Sequence, residues 1–264
     1  MSTTKDARLK PPLKWAGGKR WLVPLFTDFW QPYTDYRLVE PFVGGLAITL
    51  GVRPERAWLN DLNPHLINFY KWLQEGLQVE IEMANNEAQY YRHRERFNEL
   101  IQNGGSHSQE AASLFYYLNR TGYNGLCRFN QKGLFNVPVG RYSRLRYRRD
   151  FSTYRPVFRP WTFSNKDFEK MRLEADDFVY ADPPYDADFT AYSRHKFDWP
   201  EQQRLARWLT NHAGPVVASN HATDRILDLY GGLDFSIILV EAPRRISSDG
   251  DRTPALEMIA TRNL

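Results

Sequence analysis

Cysteine is all but absent. Cys127 is the one thiol in 264 residues, which excludes an internal disulfide and a cysteine-held zinc cluster. No run of about 18 consecutive apolar residues occurs, so no membrane-spanning helix is expected. The opening, Met1 to Asp6, lacks the apolar stretch of a secretory signal, and a cytoplasmic chain is expected. The six histidines (His65, His93, His107, His195, His212 and His221) show no metal-ligand spacing, so no metal is assigned. Repeats and low-complexity tracts are missing too. What is present is ordinary globular material: 42% hydrophobic and 25% charged residues, enough to bury a core and too apolar for wholesale disorder.

Acid is scarce in one place. From Arg120 to Pro160 there are ten basic residues and one acid, Asp150. This stretch carries +9, leaving −5 for the rest of a chain whose net charge is +4. Nine of the ten are arginine, whose flat fork suits phosphate and guanine better than an ammonium does. Tyr123, Phe129, Phe135, Tyr142, Tyr147, Phe151 and Tyr154 lie among them. A solvated basic loop is the plain alternative; a nucleic-acid partner met by one face explains the asymmetry better.

The chain opens like a nucleotide-binding α/β sheet. A glycine turn at Gly17-Gly18 leads to an amphipathic helix with Trp21, Leu22, Leu25 and Phe26 inward. Arg37 to Glu40 reads as a strand, Pro41 to Gly45 as a turn, Leu46 to Leu50 as a helix, and Ala57 to Asn60 as a second strand tipped by Asp61. Helical spacing follows over His65 to Gln74, Glu80 to Ile101 (one helix or a pair) and Ala111 to Leu118, then an irregular basic stretch to about Pro160. The α/β rhythm then returns, with strands over Trp161 to Phe163, Phe178 to Ala181, Pro215 to Ser219, Ile237 to Val240 and Leu256 to Ala260, and a helix over Gln202 to Leu209. The last strands lie close together with little helix between them, which suggests an antiparallel edge. The expected organisation is a sheet domain (1–62 and 160–264) interrupted by a helical and basic insertion (63–159).

Asp182-Pro183-Pro184-Tyr185 follows directly on the apolar strand ending at Ala181. Two prolines fix φ twice and remove two donors, so a stiff turn forms at the strand's carboxyl end, where open α/β sheets hold ligands. Such a turn presents a carboxylate, proline carbonyls and an aromatic face, which suits methyl transfer to an exocyclic amine. The N6 lone pair of adenine is delocalised into the ring; hydrogen bonds to Asp182 and the Pro183 carbonyl would favour a tetrahedral nitrogen and accept developing positive charge. Tyr185 can stack on the base.

These motifs, in this order, resemble the Dam-type DNA adenine N6-methyltransferases, which methylate adenine in GATC with S-adenosylmethionine. The likeness covers nearly the whole chain. Leu13-Lys14-Trp15-Ala16-Gly17-Gly18-Lys19 looks like the amino-terminal cofactor motif, Glu40-Pro41-Phe42-Val43-Gly44-Gly45 the glycine motif, Asp61 the acidic strand tip, Asp182 to Tyr185 the catalytic motif and Arg245-Ile246-Ser247-Ser248 a late loop. The order is that of the alpha arrangement. It implies a Rossmann-like methyltransferase sheet with an inserted recognition subdomain. It also implies cofactor contacts from Trp15, Gly17, Lys19 (near the cofactor's carboxylate), Glu40, Phe42, Gly44, Gly45, Asp61 (ribose hydroxyls), Asp167, Phe168 and Asp182. Leu46 stands where many relatives have a further glycine.

The recognition segment resembles the family over Asn119 to Arg128 and Gly133 to Gly140. The likeness implies that Arg128 reads a guanine, Lys14 reaches another, Leu126 and Pro138 meet the thymine or its pair, and Tyr123 and Asn124 fill the space beside a flipped adenine. Arg120 and Asn136 join them as DNA contacts, while Arg141, Arg144 and Arg146 suit phosphates, being too dense for a four-base site. The expected partner is double-stranded DNA and the expected state a monomer. A catalytically silent DNA-binding protein and a cytosine-N4 enzyme remain as alternatives. A nicotinamide oxidoreductase is disfavoured, because no Gly-x-Gly-x-x-Gly follows the first strand. Cys127 reads as structural.

Overall fold

The computed structural model describes residues 9–186, 197–243 and 255–264. Seven strands form one sheet: β1 (Arg37–Glu40), β2 (Ala57–Asn60), β3 (Trp161–Ser164), β4 (Asp177–Ala181), β5 (Val216–His221), β6 (Ser236–Ala242) and β7 (Ala255–Arg262). Their spatial order is β3-β2-β1-β4-β5-β7-β6. Neighbours from β3 to β5 are parallel, and β7 runs antiparallel to both β5 and β6. This is a Rossmann-like α/β sheet with an antiparallel edge, as the sequence implied.

Alternation along the strands builds two layers of core. Leu38, Phe178, Tyr180 and Val217 face one side, while Val39, Val179, Ala181, Val216 and Ala218 face the other. The first face is covered by α1 (Val23–Trp30), α2 (Ala47–Val52) and α3 (Pro64–Gln74), and beyond them by α4 (Glu87–Gln102), α5 (Gln109–Thr121) and the short α6 (Arg155–Phe158). The second is covered by α7 (Trp199–Thr210) and α8 (Asp224–Gly231).

Residues 63–159 contribute no strand to the sheet, yet they lack a separate core. One apolar cluster runs from Leu38 and Phe178 through Phe69, Phe115 and Tyr116 to Phe97 and Phe135. The helical segment is therefore built onto the sheet's face.

Three elements differ from the sequence reading. The first helix starts at Val23, because Pro24 takes its opening turn; Trp21 and Leu22 precede it. Helix α4 begins only at Glu87, where Asn86 accepts a hydrogen bond from the Gln89 amide and fixes the start, leaving residues 80–86 outside it. The span between β5 and β6 holds α8, whose buried contacts come from Ile226 and Tyr230.

Candidate functional site

Three of the segments singled out for chemistry sit at the carboxyl ends of neighbouring parallel strands, while residues 13–19 and 119–140 follow no strand. Residues 41–45 follow β1, Asp61 follows β2, Asp182 to Tyr185 follow β4, and Ser219 and Asn220 lie near the end of β5. Parallel pairing thus brings together residues about 140 positions apart in sequence.

The β1–α2 turn is tight. Gly44 has φ of 44° and Leu46 has φ of 62°, both left-handed. A Cβ at Gly44 would come within 2.8 Å of the Trp15 indole nitrogen, and one at Gly45 within 2.9 Å of the Trp15 Cβ. The glycines thus make room for Trp15, rather than only for an incoming ligand. Leu46 pays about 1–2 kcal/mol for its left-handed backbone, and full burial of its side chain offsets a cost of that size. The turn keeps the shape a glycine would give it.

Asp61 holds the turn from the next strand: its Oδ2 accepts the Gly44 amide (3.1 Å) and its Oδ1 the Asn63 amide (2.9 Å). Burial pushes its carboxyl up to about 6. Glu40 points into the protein. It is 2% exposed and accepts the backbone amide and the hydroxyl of Thr49 in α2, so it anchors the turn from below. Burial raises its carboxyl to about 8. The folded protein then holds a proton there that the unfolded chain loses near pH 4.5, so the associated stability is full below that pH and is lost as pH rises through 8. Glu40→Gln keeps an acceptor for Thr49 without titrating. Its urea midpoint should fall less than the parent's between pH 5 and pH 8, roughly the window between the two values; equal slopes would contradict the assignment.

Asp167 and Phe168 are also committed. Arg204 donates to both oxygens of Asp167, at 2.9 and 2.8 Å, and holds its carboxyl below the usual carboxylate range. The buried Phe168 ring lies beneath that guanidinium and against Phe42, Phe197 and Trp208. Phe42 packs edge-on to Phe197.

At the end of β4, Asp182 Oδ1 accepts the Ser219 hydroxyl (2.9 Å) and lies 3.1 Å from the Lys19 ammonium. Ser219 is itself paired with Tyr180 (3.0 Å). Gln202 of α7 donates to the Pro184 carbonyl (2.9 Å) and accepts from Asn220 (2.9 Å). The Tyr185 hydroxyl donates to Glu257 of β7 (2.6 Å), and its ring lies parallel to His221, centroids 6.5 Å apart. The buried Lys19 ammonium donates to the Gly17 carbonyl, sits over the Tyr185 ring and faces Asp182. Sequence reasoning missed Gln202, Ser219, Asn220 and Glu257. The signals were a polar Ser-Asn-His ending to an apolar strand and one acid within Ala255 to Ala260.

The recognition residues form a hairpin-like loop. Tyr123 donates its amide to the Pro138 carbonyl, and Asn136 donates its amide to the Arg128 carbonyl. The Arg128 side chain grips Asn136 through Nε (2.8 Å) and Nη2 (3.2 Å), which leaves the outer edge of its fork for another acceptor. Tyr123, Asn124, Pro138, Arg141, Arg144 and Arg146 are exposed, and Leu126 is half-buried. A cleft of about 320 Å³ opens beside Tyr123, Asn124, Arg141 and Tyr142.

Lys14 and Arg120 turn inward instead. Lys14 donates to the Arg120 carbonyl (3.0 Å) and lies over the Tyr142 ring; burial and the Arg120 charge lower its ammonium to about 8. Arg120 donates to the Pro12 carbonyl (2.7 Å). Asn119 ties this corner together, accepting the Lys14 amide and donating to the carbonyls of Lys14 and Gly125. Gly125 is obligatory here: a Cβ would lie 2.4 Å from that of Lys14. Cys127 accepts a hydrogen bond from Asn63, and burial pushes its thiol up to about 12, so it is no nucleophile. Residues 245–248 lie outside the described residues.

Comparison with known proteins agrees with this arrangement. The profile of the D12 class N6 adenine-specific DNA methyltransferases matches residues 15–246. The Retron Ec67 DNA adenine methylase of Escherichia coli is 34% identical, covering 94% of this chain and 90% of its own. The DNA adenine methylase of Vibrio cholerae is 35% identical over 90% of each, and that of Haemophilus influenzae 33% over 95% and 93%. Similarity of this extent across both the sheet and the recognition loop has one reading: the chain belongs to the D12 class of N6 adenine-specific DNA methyltransferases.

Proposed function

We propose that the chain moves a methyl group from S-adenosylmethionine to N6 of an adenine turned out of double-stranded DNA, within GATC. The observation that carries this reading is the placement of the Asp182 carboxylate and the Tyr185 ring beside the Gly44 turn and Asp61, with the exposed hairpin of Tyr123 and Arg128 joined to the same corner through Asn119.

The residues present fit the cofactor. Each Asp61 oxygen spends one lone pair on a backbone amide and keeps another for a ribose hydroxyl. Phe42 is half-buried at the same strand edge and offers a ring face. S-adenosylmethionine supplies a methyl on positive sulfur, which needs no further activation. The protein must hold and polarise the amine. Asp182, steadied by Ser219 and Lys19, would accept a hydrogen bond from one N6 hydrogen, stabilise the positive charge on the nitrogen as it becomes tetrahedral, and receive the proton the nitrogen sheds once methylated; the Pro183 carbonyl would accept the other hydrogen bond. Tyr185 stacks on the base.

The exposed hairpin supports the DNA side. Arg128, held sideways by Asn136, presents two parallel N–H groups, the fork that matches guanine O6 and N7. Tyr123 can replace stacking lost when a base leaves the helix. Arg141, Arg144 and Arg146 suit the backbone. We also propose that residues 1–62 and 160–264 make the catalytic unit and 63–159 the recognition unit.

The test is expression in a host lacking adenine methylation, then digestion with a nuclease that cuts only unmethylated GATC. Protection is expected. Complete cutting with folded protein present, alongside N6-methyladenine in hydrolysed DNA, would move the specificity to another site. Complete cutting with no methylated adenine would overturn the activity.

A further inference from the structure

The Asp-Pro-Pro-Tyr turn is held by a residue from the far end of the chain. Glu257 lies on β7, two strands from β4, in register with His221 of β5. It is 7% exposed. Its Oε2 accepts the Tyr185 hydroxyl at 2.6 Å and lies 3.8 Å from the Lys19 ammonium, which is itself 3.1 Å from Asp182. One buried cation thus sits between two carboxylates, beneath a tyrosine ring tied to one of them.

A buried acid in an apolar strand is costly unless paired. Burial raises the carboxyl of Glu257, while Lys19 and the Tyr185 hydrogen bond act the other way. The cost serves geometry. Tyr185 follows two prolines, which fix the backbone but leave the ring free to swing about its own side-chain bonds. Only the tip of the ring can be tied, and Glu257 ties it.

We propose that Glu257 is a positioning residue for methyl transfer: by holding the Tyr185 hydroxyl and the Lys19 ammonium, it sets the ring plane and the Asp182 carboxylate at the target amine. This rests on the adenine methyl transfer proposed above. In this role Glu257 acts through Tyr185 and Lys19.

Two variants and two readouts test it. Glu257→Gln keeps the size and removes the charge; Tyr185→Phe keeps the ring and removes the tether. Each should slow single-turnover methyl transfer roughly 10- to 100-fold, the size of one charge-assisted hydrogen bond, with the melting temperature and DNA affinity near those of the parent. The double variant should be no slower than the slower single. In protein labelled with carbon-13 at the tyrosine Cζ, the resonance that vanishes in Tyr185→Phe should be the one that moves most in Glu257→Gln. Parental rates in Glu257→Gln, losses that multiply in the double variant, or an unmoved Tyr185 resonance would each overturn the role. If the parent itself moves no methyl group, the functional reading falls, while the resonance still reports whether Glu257 holds the hydroxyl.

Discussion

Asp182→Ala is expected to lower single-turnover methyl transfer about 10³-fold, the loss seen when a preorganised partner of developing charge is removed. Cofactor and DNA affinities should stay within a few-fold of the parent. The reason for the split is local. Asp182 is at the rim, with its side chain 20% exposed, and neither the Gly44 turn nor the Arg128 hairpin bonds to it. Its own partners tolerate the loss, because Ser219 retains Tyr180 and Lys19 retains the Gly17 carbonyl and Glu257. Asp182→Asn keeps an acceptor without the charge and should fall between. Titration calorimetry for affinity and tritiated-methyl transfer for rate separate the two properties. Near-parental turnover in the alanine variant would remove Asp182 from the chemistry.

Asp177→Ala should produce the largest loss of stability. Asp177 opens β4 fully buried and meets Arg37 of β1 through two bonds, Nε to Oδ1 at 2.7 Å and Nη2 to Oδ2 at 2.8 Å. Its Oδ2 also accepts the Glu174 amide. Removing one member of a buried pair strands the other, at about 3–5 kcal/mol. Arg37 keeps a quarter of its side chain in water, so the lower end applies, a fall in melting temperature of roughly 6–12 °C. Activity at low temperature should survive, since this pair lies at the end of the strands opposite Asp182. A melting temperature within about 2 °C of the parent would show that the pair adds nothing net.

Much of this was legible in the sequence because it is local. The strands at Arg37 to Glu40 and Ala57 to Asn60 are short apolar runs ended by an acid or a turn, and the structure keeps those bounds. Helix α8 went unread although Ile226, Leu229 and Tyr230 recur at helical spacing: eight residues are too short to hold a helix by themselves, and tertiary burial of Ile226 and Tyr230 fixes it. The same divide runs through the site. Asp182 to Tyr185 announces itself by its prolines, whereas Glu257, 72 residues later, reads as one strand position. Lys14 and Arg120 were expected to meet DNA, and Lys19 the cofactor's carboxylate. Their partners are backbone carbonyls and buried acids that no local pattern reveals.

Asn119 fastens the end of α5 to the segment before α1. Its amide clasps both backbone groups of Lys14 and the carbonyl of Gly125, and the next residue, Trp15, lies flat against Gly44 and Gly45. The loop after α5 is therefore coupled to the turn after β1 through Lys14 and Trp15, by a route that does not run along the strands of the sheet.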